Sequence, residues 1–347
     1  MLLTKTSRET DFESVEAYER EAKKNLAPLV RDYVFGSTES GATMARNTEA
    51  FSKYLIRRRV LQSINKIETN VSYFHGTIKS ELPFFPSCIN LTPMYPNALL
   101  DILRLSKNFK VPIFISNLAI SGSLKINELP RLVPKTIPLV CQMYFQMENF
   151  DSIMKQTRSL SDWGYSAVTI TVDTERGVKL GYKIPGSVFT HEFRSMTPAD
   201  IRRIRKATSL PLIVKGIMTP EDAEVAIENG ADGIGISNHG GRSMDCGEAS
   251  IEALPKVVEH LKRKKATRNT EIFFDGGIRR GTDIIKALAL GASGCLIGRP
   301  YFWALAVDRK NGAEKVTNIL KAEVVRTAAL CGVRDLSKVD PNTVRAA

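Results

Sequence analysis

Eight short apolar segments between residues 83 and 300 constrain the fold of this chain more than any other feature of its sequence. Each is rich in β-branched or aromatic residues and ends in polar or glycine residues, as strands do. Because they are nearly continuously apolar, they predict a parallel sheet covered on both faces. The segments are PFFPSCIN (83–90), VPIFISN (111–117), PLVCQMYF (138–145), AVTITVD (167–173), LPLIVKG (210–216), GIGISN (233–238), EIFFDGG (271–277) and GCLIGRP (294–300).

Segments with helical periodicity separate the predicted strands. In TPEDAEVAIENGA (219–231), Thr219 can cap a helix, Pro220 suits its first position and Gly230 can end it. The segment 281–292 repeats this design. Eight strands, each followed by a helix, predict an α/β fold, the closed (β/α)8 or TIM barrel. An open doubly wound sheet is the alternative, but the G-x-G-x-x-G motif expected after its first strand is missing from the sequence.

The rest of the chain reads as additions to this barrel. Residues 12–60 predict a helical extension, and residues 60–82 predict a hairpin that closes the barrel floor. The barrel itself is predicted over 83–305, and a helical segment over 306–347, with one long helix at 315–332. Because no linker or low-complexity tract interrupts the sequence, we expect a single domain over the 347 residues.

Charge and cysteine content exclude several classes of protein. The net charge of +12 favours acidic ligands, but the basic clusters are scattered, lack interleaved aromatic residues and accompany no nucleic-acid-binding motif. Solvated helix faces are the better interpretation, so no nucleic-acid partner is expected. The five cysteines form no C-x-x-C pair, which argues against a disulfide scaffold and a zinc site, and we expect no metal.

The cysteine usage also suits a reducing compartment. The sequence shows no signal-peptide core, no apolar stretch of membrane-spanning length and no peroxisomal tripeptide at its carboxyl end. We therefore expect a cytoplasmic protein without a membrane partner.

The loops after the seventh and eighth strands predict a phosphate site. Barrel enzymes bind phosphate at these loops, and here they read DGGIRRG (275–281) and IGRP (297–300). Glycines there let backbone amides approach a phosphate, and arginines add positive charge. The alternative is glycine-rich turns with solvated arginines. The residues concerned are Gly276, Gly277 and Gly298 for the backbone, Arg279 and Arg299 for charge, and Asp275 as the acceptor for a ribose-like hydroxyl.

Polar residues also end the other strands. Lys215 is the most informative, because a lysine that ends an apolar strand is costly to bury unless an anion meets it. In SNHGGR (237–242), the paired glycines let the backbone approach a ligand, so His239 can handle a proton and Arg242 a carboxylate, although a surface turn is the alternative. The remaining strand-end residues are Ser116, Asn117, Gln142, Tyr144, Thr171 and Asp173.

In this order and spacing, the motifs LPLIVKG, SNHGGR, DGGIRRGTDIIKALALGA and IGRP resemble the FMN-dependent α-hydroxy-acid oxidases and dehydrogenases, which include glycolate oxidase and the flavin-type lactate and mandelate dehydrogenases. The resemblance runs from about residue 15 to about residue 337 and is most specific over 210–305. It implies FMN as cofactor and oxidation of a 2-hydroxy acid to a 2-oxo acid, with two electrons passing to the flavin. Oxygen or another electron acceptor, and a homo-oligomer that is commonly a tetramer, are implied with it.

The resemblance also implies roles for individual residues. His239 would be the active-site base, Asp173 its partner, and Lys215 the cation beside the reduced flavin. Removal of the proton from the α-carbon, and from the hydroxyl with hydride transfer, both remain open. The implied sites are catalytic His239, Asp173, Tyr144 and Lys215; substrate-binding Tyr33, Tyr144, Arg242 and His239; and FMN-binding Ser116, Gln142, Thr171, Lys215, Asp275, Gly277, Arg279, Gly298 and Arg299.

The sequence also departs from the family. SCIN (87–90) stands where Pro-Thr-Ala is usual, Leu180 with neighbouring Lys179 stands where a second arginine is usual, and Leu118 where an aromatic residue often lines the site. The segment after Asp173 is short for a covering loop. A divergent member with an atypical 2-hydroxy acid, larger or more apolar than glycolate or lactate, is predicted. A non-catalytic FMN-binding protein, or another FMN barrel such as a decarboxylating monooxygenase or isomerase, remains an alternative.

Overall fold

Eight parallel strands form the centre of the molecule, seen in a computed structural model that describes residues 12–91, 93–95, 98–117, 125–145, 150–173, 195–265 and 270–347. The strands are β4 (Phe84–Pro86), β5 (Ile113–Ser116), β6 (Leu139–Tyr144), β7 (Ala167–Thr171), β8 (Leu212–Ile217), β9 (Gly233–Ile236), β10 (Glu271–Phe274) and β11 (Gly294–Ile297). Neighbouring strands pair in the order β4-β11-β10-β9-β8-β7-β6-β5, and β4 contacts β5, which closes the sheet into a barrel. The predicted (β/α)8 fold is confirmed, with strands shorter than the apolar segments.

Within the described residues, helices follow seven of the barrel strands. The start of α7 is as predicted, because the Thr219 hydroxyl accepts a hydrogen bond from the Asp222 backbone amide and Pro220 occupies the first turn. The helix predicted between β5 and β6 falls partly on residues 118–124, which lie outside the described residues; the described part of this connection holds a 3-10 turn, Leu129–Arg131. The barrel helices are α4 (Ala98–Phe109), α5 (Phe150–Trp163), α6 (Pro198–Ala207), α7 (Pro220–Glu228), α8 (Ser250–Arg263), α9 (Gly281–Ala289) and α10 (Arg299–Val307).

The segments before β4 cover both ends of the barrel. Three helices, α1 (Val15–Asn25), α2 (Pro28–Phe35) and α3 (Ala42–Glu49), form the predicted extension, and α1 packs along α10. After the short strand β1 (Tyr54–Ile56), strands β2 (Val71–Tyr73) and β3 (Ile78–Ser80) form the predicted hairpin. The Phe74 amide donates to a Glu271 carboxylate oxygen at the start of β10, so the hairpin closes the floor.

Aromatic rings fill the lower interior of the barrel. Phe85 stacks on Phe114 with ring centroids 5.4 Å apart, and the Phe273 ring contacts both. Tyr73 from the floor hairpin adds a fourth ring at 5.1 Å from Phe273. A barrel of eight strands has room only for such side-chain layers, so polar groups collect at the opposite edge, where the strands end.

The carboxyl-terminal segment contains more elements than the single predicted helix. After α10, a long helix α11 (Gly312–Cys331) packs on α9 and α10. The chain then ends in β12 (Val344–Ala346), which pairs antiparallel with β1. Among the described helices, none is long and apolar enough to cross a membrane.

Candidate active site

Register across the sheet aligns the predicted polar side chains in two rows at the carboxyl ends of the strands. In the lower row, Ser116 of β5 lies opposite Gln142 of β6. In the upper row, Tyr144 of β6 pairs with Thr171 of β7, and Thr171 pairs with Lys215 of β8. All five side chains are buried. The strand-end residues predicted separately from sequence therefore form one continuous surface.

His239 and Asp173 form the pair that the resemblance implied. The His239 Nδ1 atom lies 3.2 Å from Asp173 Oδ1, and the two side chains are 17% and 7% exposed. Burial alone would raise the pKa of Asp173, but the charge and hydrogen bond of His239 outweigh it, and the pKa falls to about 2. Asp173 is therefore a carboxylate and must accept from Nδ1–H, which puts the basic lone pair of the imidazole on Nε2.

Backbone geometry brings these two residues together. His239 has a left-handed φ of 57°, and its amide donates to the Ser237 hydroxyl at 3.1 Å. Strand β8 has a bulge between Lys215 and Ile217, and Gly216 there has φ 108°. A β-carbon on Gly216 would lie 2.5 Å from the Asp173 β-carbon, so only glycine lets the carboxylate approach this strand end.

Lys215 lies in a buried network with Asp275 and Ser237. Its ammonium donates to the Ser237 hydroxyl at 2.7 Å and is 3.0 Å from Asp275 Oδ2, while the Ser237 hydroxyl donates to Asp275 Oδ1 at 2.6 Å. Burial acts to lower the pKa of Lys215, but the carboxylates of Asp275 and Asp173 outweigh it and raise the pKa. Lys215 therefore places a fixed positive charge in the upper row. Asp275 was predicted as an acceptor for a ribose-like hydroxyl; its two oxygens also lie within this network, and each can accept a further hydrogen bond.

Sequence reasoning did not assign Ser237. The sequence does contain a signal for Ser237, because it is a polar residue directly after β9 and residues at the carboxyl ends of barrel strands face the active site. Its hydroxyl contacts Lys215, Asp275 and the His239 backbone, so it links the two halves of the site.

Arg242 and Arg299 meet at the carboxyl end of α2. Arg242 donates to the carbonyls of Tyr33 at 2.6 Å and Val34 at 3.1 Å, and its guanidinium lies 5.2 Å from the Tyr33 ring centroid. Arg299 donates to the Gly36 carbonyl at 2.9 Å and the Gly240 carbonyl at 2.8 Å. Tyr33 and Arg242, both expected to bind the substrate carboxylate, therefore lie next to each other. The Tyr33 hydroxyl also donates to the Asn90 carbonyl at 3.1 Å.

Arg242, Arg279 and Arg299 place three positive charges at this edge of the barrel. Arg279 lies over the Trp303 ring at 4.7 Å. Burial, and then the positive charges of Arg242 and Arg279, push the pKa of Arg299 well below its ordinary value. Cations that destabilise one another in this way are relieved by a bound anion, so the site fits the phosphate of FMN.

The barrel mouth also fits the flavin ring. The amide oxygen of Gln142 and the hydroxyl of Thr171 are buried and lack a hydrogen-bond partner among the described residues. A buried polar group without a partner is costly, and here the two groups lie one row apart on adjacent strands. A planar ligand with donors and acceptors along its edge, such as an isoalloxazine ring, satisfies them.

Two of the three glycines predicted to approach the phosphate differ in what they tolerate. A β-carbon on Gly277, which has φ 86°, would lie 1.9 Å from the Asn47 carbonyl oxygen, whereas one on Gly298, with φ −100°, would meet only Ile89 Cγ2 at 3.5 Å. The close contact with Asn47 of α3 therefore requires glycine at position 277, independently of any bound phosphate.

Replacing Gly277 with alanine is expected to lower the free energy of unfolding by at least about 2 kcal/mol, from left-handed strain and overpacking together. Replacing Gly298 with alanine is the matched control and should cost less than half as much. Urea unfolding of both variants measures the difference, and equal losses would contradict the packing explanation.

Some of the residues that differ from the family pattern belong to the described part of the chain and others do not. Leu118, Lys179 and Leu180 lie outside the described residues. In the 87–90 segment, Cys88 is buried and burial raises its thiol pKa to about 11, so the thiol stays neutral. Ile89 and Asn90 follow it toward the barrel mouth, where the Asn90 carbonyl meets Tyr33.

Three features define a class, the TIM-barrel oxidoreductases that bind a flavin through its phosphate. They are the closed barrel, the arginine cluster of Arg279 and Arg299 at its last two loops, and the buried lysine beside a histidine–aspartate pair. The sequence profile of the FMN-dependent dehydrogenase family matches residues 22–181 and 181–346. The chain belongs to this family, and its cofactor is FMN.

Individual relatives agree with this assignment. A 2-hydroxyacid oxidase of Dictyostelium discoideum is 30% identical over 98% of this chain and 92% of its own length, and 2-hydroxyacid oxidase 1 of Homo sapiens is 30% identical over 94% and 95%. A mandelate oxidase structure with 3,3-difluoro-2-hydroxy-3-phenylpropionic acid superimposes with a TM-score of 0.85 at 28% identity, covering 97% of this chain and 99% of its own. A flavocytochrome b2 variant with pyruvate bound gives 0.86 at 27%, covering 96% and 87%. The predicted family, fold and cofactor are confirmed.

Proposed function

We propose that this protein oxidises a 2-hydroxy acid to the 2-oxo acid, with His239 as the base. The observation that carries the proposal is the His239–Asp173 pair, with Nδ1 and Oδ1 3.2 Å apart, next to the buried cation Lys215. A protein that only bound FMN would need the arginines but not a carboxylate that orients an imidazole.

The proposed mechanism assigns each residue one task. Arg242 and Tyr33 bind the substrate carboxylate, which places the α-carbon near the imidazole. His239 takes up a proton at Nε2, and the Asp173 carboxylate stabilises the imidazolium that results. Tyr144, whose ring centroid lies 6.0 Å from that of His239, donates a hydrogen bond to the substrate oxygen, because burial raises its pKa well above the ordinary value and keeps the phenol protonated.

When bound, FMN supplies the two-electron acceptor of the reaction. Ser116, Gln142 and Thr171 would hold its ring, and Gly277, Arg279, Gly298 and Arg299 its phosphate end. Lys215 would lie beside the ring as a fixed positive charge that offsets the negative charge gained on reduction, and Asp275 with Ser237 orients that ammonium.

The substrate is proposed to be larger or more apolar than glycolate. Cys88 and Ile89 bring a neutral thiol and a branched aliphatic chain to the end of β4. The related mandelate oxidase was solved with a phenyl-bearing 2-hydroxy acid, which is consistent with an apolar substrate in this family. Oxygen is the proposed electron acceptor, because several relatives are oxidases.

Anaerobic mixing with a panel of 2-hydroxy acids tests the proposal. The panel runs from glycolate and lactate to long aliphatic and aromatic acids, and loss of the oxidised flavin absorbance reports reduction. Bleaching is expected, fastest with an apolar member. If no member bleaches the flavin while FMN stays bound, the protein is a non-catalytic FMN-binding protein and the proposal is wrong. Readmitting oxygen to the bleached sample tests the acceptor.

Replacing Arg242 with lysine is expected to raise KM for the 2-hydroxy acid by about 10- to 100-fold, the value of hydrogen bonds between charged groups that a lysine cannot supply in paired form. The effect on kcat should be smaller, because Arg242 binds the carboxylate and does not handle the proton. Steady-state kinetics measures both. Arg104→Lys, on the outer helix α4 beside Asp101, is the matched control and should leave KM unchanged; an unchanged KM in Arg242→Lys would remove it from substrate binding.

A further inference from the structure

The Asp173 carboxylate is held at both of its oxygens. Oδ1 faces His239 Nδ1 at 3.2 Å, and Oδ2 accepts a hydrogen bond from the Ser243 hydroxyl at 2.7 Å. A carboxylate held at one oxygen can rotate about its terminal bond, because that torsion is soft. One held at both cannot rotate without breaking a hydrogen bond in a nearly buried place.

The loop that carries His239 also fixes the position of Ser243. The Asn238 side chain accepts from the Gly241 amide at 3.1 Å and donates to the Glu248 carbonyl at 3.0 Å, which ties both ends of the loop together. Asn238 also exchanges hydrogen bonds with Asn47 of α3. Ser243 is thus held at a fixed distance from His239 on a loop that is anchored to α3 through Asn47.

We propose that Ser243 is a positioning residue for the reaction: it holds Asp173 in the orientation that keeps His239 aligned as the base. This inference rests on the proposed function of the His239–Asp173 pair. Ser243 does not touch the imidazole, so it acts only through Asp173.

The charged surroundings of Asp173 explain why a second restraint is needed. His239 from the loop after β9, Lys215 from β8 and Tyr144 from β6 all interact electrostatically with this carboxylate. Lys215 competes with His239 for Asp173, since its ammonium is a fixed positive charge near the same carboxylate. The Ser243 hydroxyl, on the side of the His239 loop, biases the carboxylate toward the imidazole. It also stabilises the ionised form, in keeping with the low pKa of Asp173.

Replacing Ser243 with alanine is expected to lower the rate of anaerobic flavin reduction about tenfold, the lower value for a hydrogen bond to a charged group. KM for the 2-hydroxy acid and the affinity for FMN should stay within about twofold, because the hydroxyl contacts neither Arg242 nor the arginine cluster. Ser243→Thr keeps a hydroxyl and should recover most of the rate.

A double-mutant cycle shows whether Ser243 acts through Asp173. In an Asp173→Ala background, adding Ser243→Ala should change the rate by less than about twofold, because the group that Ser243 orients is gone. Independent losses in the cycle would overturn the proposal. Ser40→Ala is the matched control. Ser40 also donates its hydroxyl to an aspartate, Asp245, which is not the partner of His239, so this variant should reduce flavin at the wild-type rate.

A readout without substrate separates this inference from the proposed function. With 13C-labelled histidine and His239 assigned by substitution, the pH midpoint of its ring signal is expected to fall in Ser243→Ala, because the counter-charge is no longer held beside it. An unchanged midpoint would refute the role of Ser243 even in a protein that oxidises hydroxy acids. If no hydroxy acid reduces the flavin but the midpoint falls, the positioning role stands and the proposed oxidation does not.

Discussion

Replacing His239 with asparagine is expected to lower the rate of anaerobic flavin reduction by about 10²- to 10⁴-fold, the usual contribution of a general base. Asparagine is the suitable replacement because His239 has a left-handed φ of 57°, a conformation that asparagine tolerates and most residues do not. FMN should remain bound, since Arg279 and Arg299, which fit its phosphate, follow β10 and β11 and not the strand that precedes His239. Stopped-flow absorbance measures the reduction rate, and the flavin spectrum of the purified protein measures cofactor content.

The matched control for this variant is His260→Asn. His260 also pairs with a carboxylate, its Nε2 atom lying 2.7 Å from Glu224, but on the outer helices α7 and α8. It should reduce flavin at the wild-type rate. If the His239 variant does so as well, His239 is not the base and another group must remove the proton.

Replacing Lys215 with methionine is expected to cost about 3 to 5 kcal/mol of folding free energy, the typical effect of removing one partner from a buried ion pair. Lys215 is 3% exposed, and its loss leaves the Asp275 carboxylate without its cation in the barrel mouth. Flavin reduction should also slow, because the charge that offsets the reduced ring is gone. Urea unfolding and stopped-flow reduction measure the two effects separately.

A compensating variant distinguishes the two roles of Lys215. Combining Lys215→Met with Asp275→Asn removes both charges, so much of the stability should return, since the unpaired buried carboxylate is the main cost. The slow reduction should persist, because no cation has been restored. Recovery of the reduction rate together with stability would show that Lys215 supports the fold only.

The sequence was sufficient for features that depend on neighbouring residues. The start of α7 was predictable because Thr219 and Pro220 act within one helical turn. The positions at which the strands end were predictable, because each apolar segment stops where the chain leaves the barrel interior. Since all strands are parallel, their carboxyl ends share one edge, so periodicity and strand direction were enough to place Lys215, Thr171 and Tyr144 together.

Features that depend on distant partners were not predictable in this way. The sequence predicted that Gly277 lets the backbone approach a phosphate. The structure shows that glycine is required there because the Asn47 carbonyl, 230 positions earlier in the chain, lies against it. Arg242 and Arg299 donate to carbonyls at the end of α2, a contact that no local pattern indicates.

The sequence by itself thus determined the barrel, the edge at which the chemistry lies and the residue types available there, because these follow from periodicity and from the shared direction of the strands. Only the tertiary structure decided which polar groups are partners. It joined Lys215 to Asp275 through Ser237, and it gave Asp173 a second restraint in Ser243. The physical reason is that hydrogen bonds form over about 3 Å between side chains far apart in sequence, and only the closed barrel sets those distances.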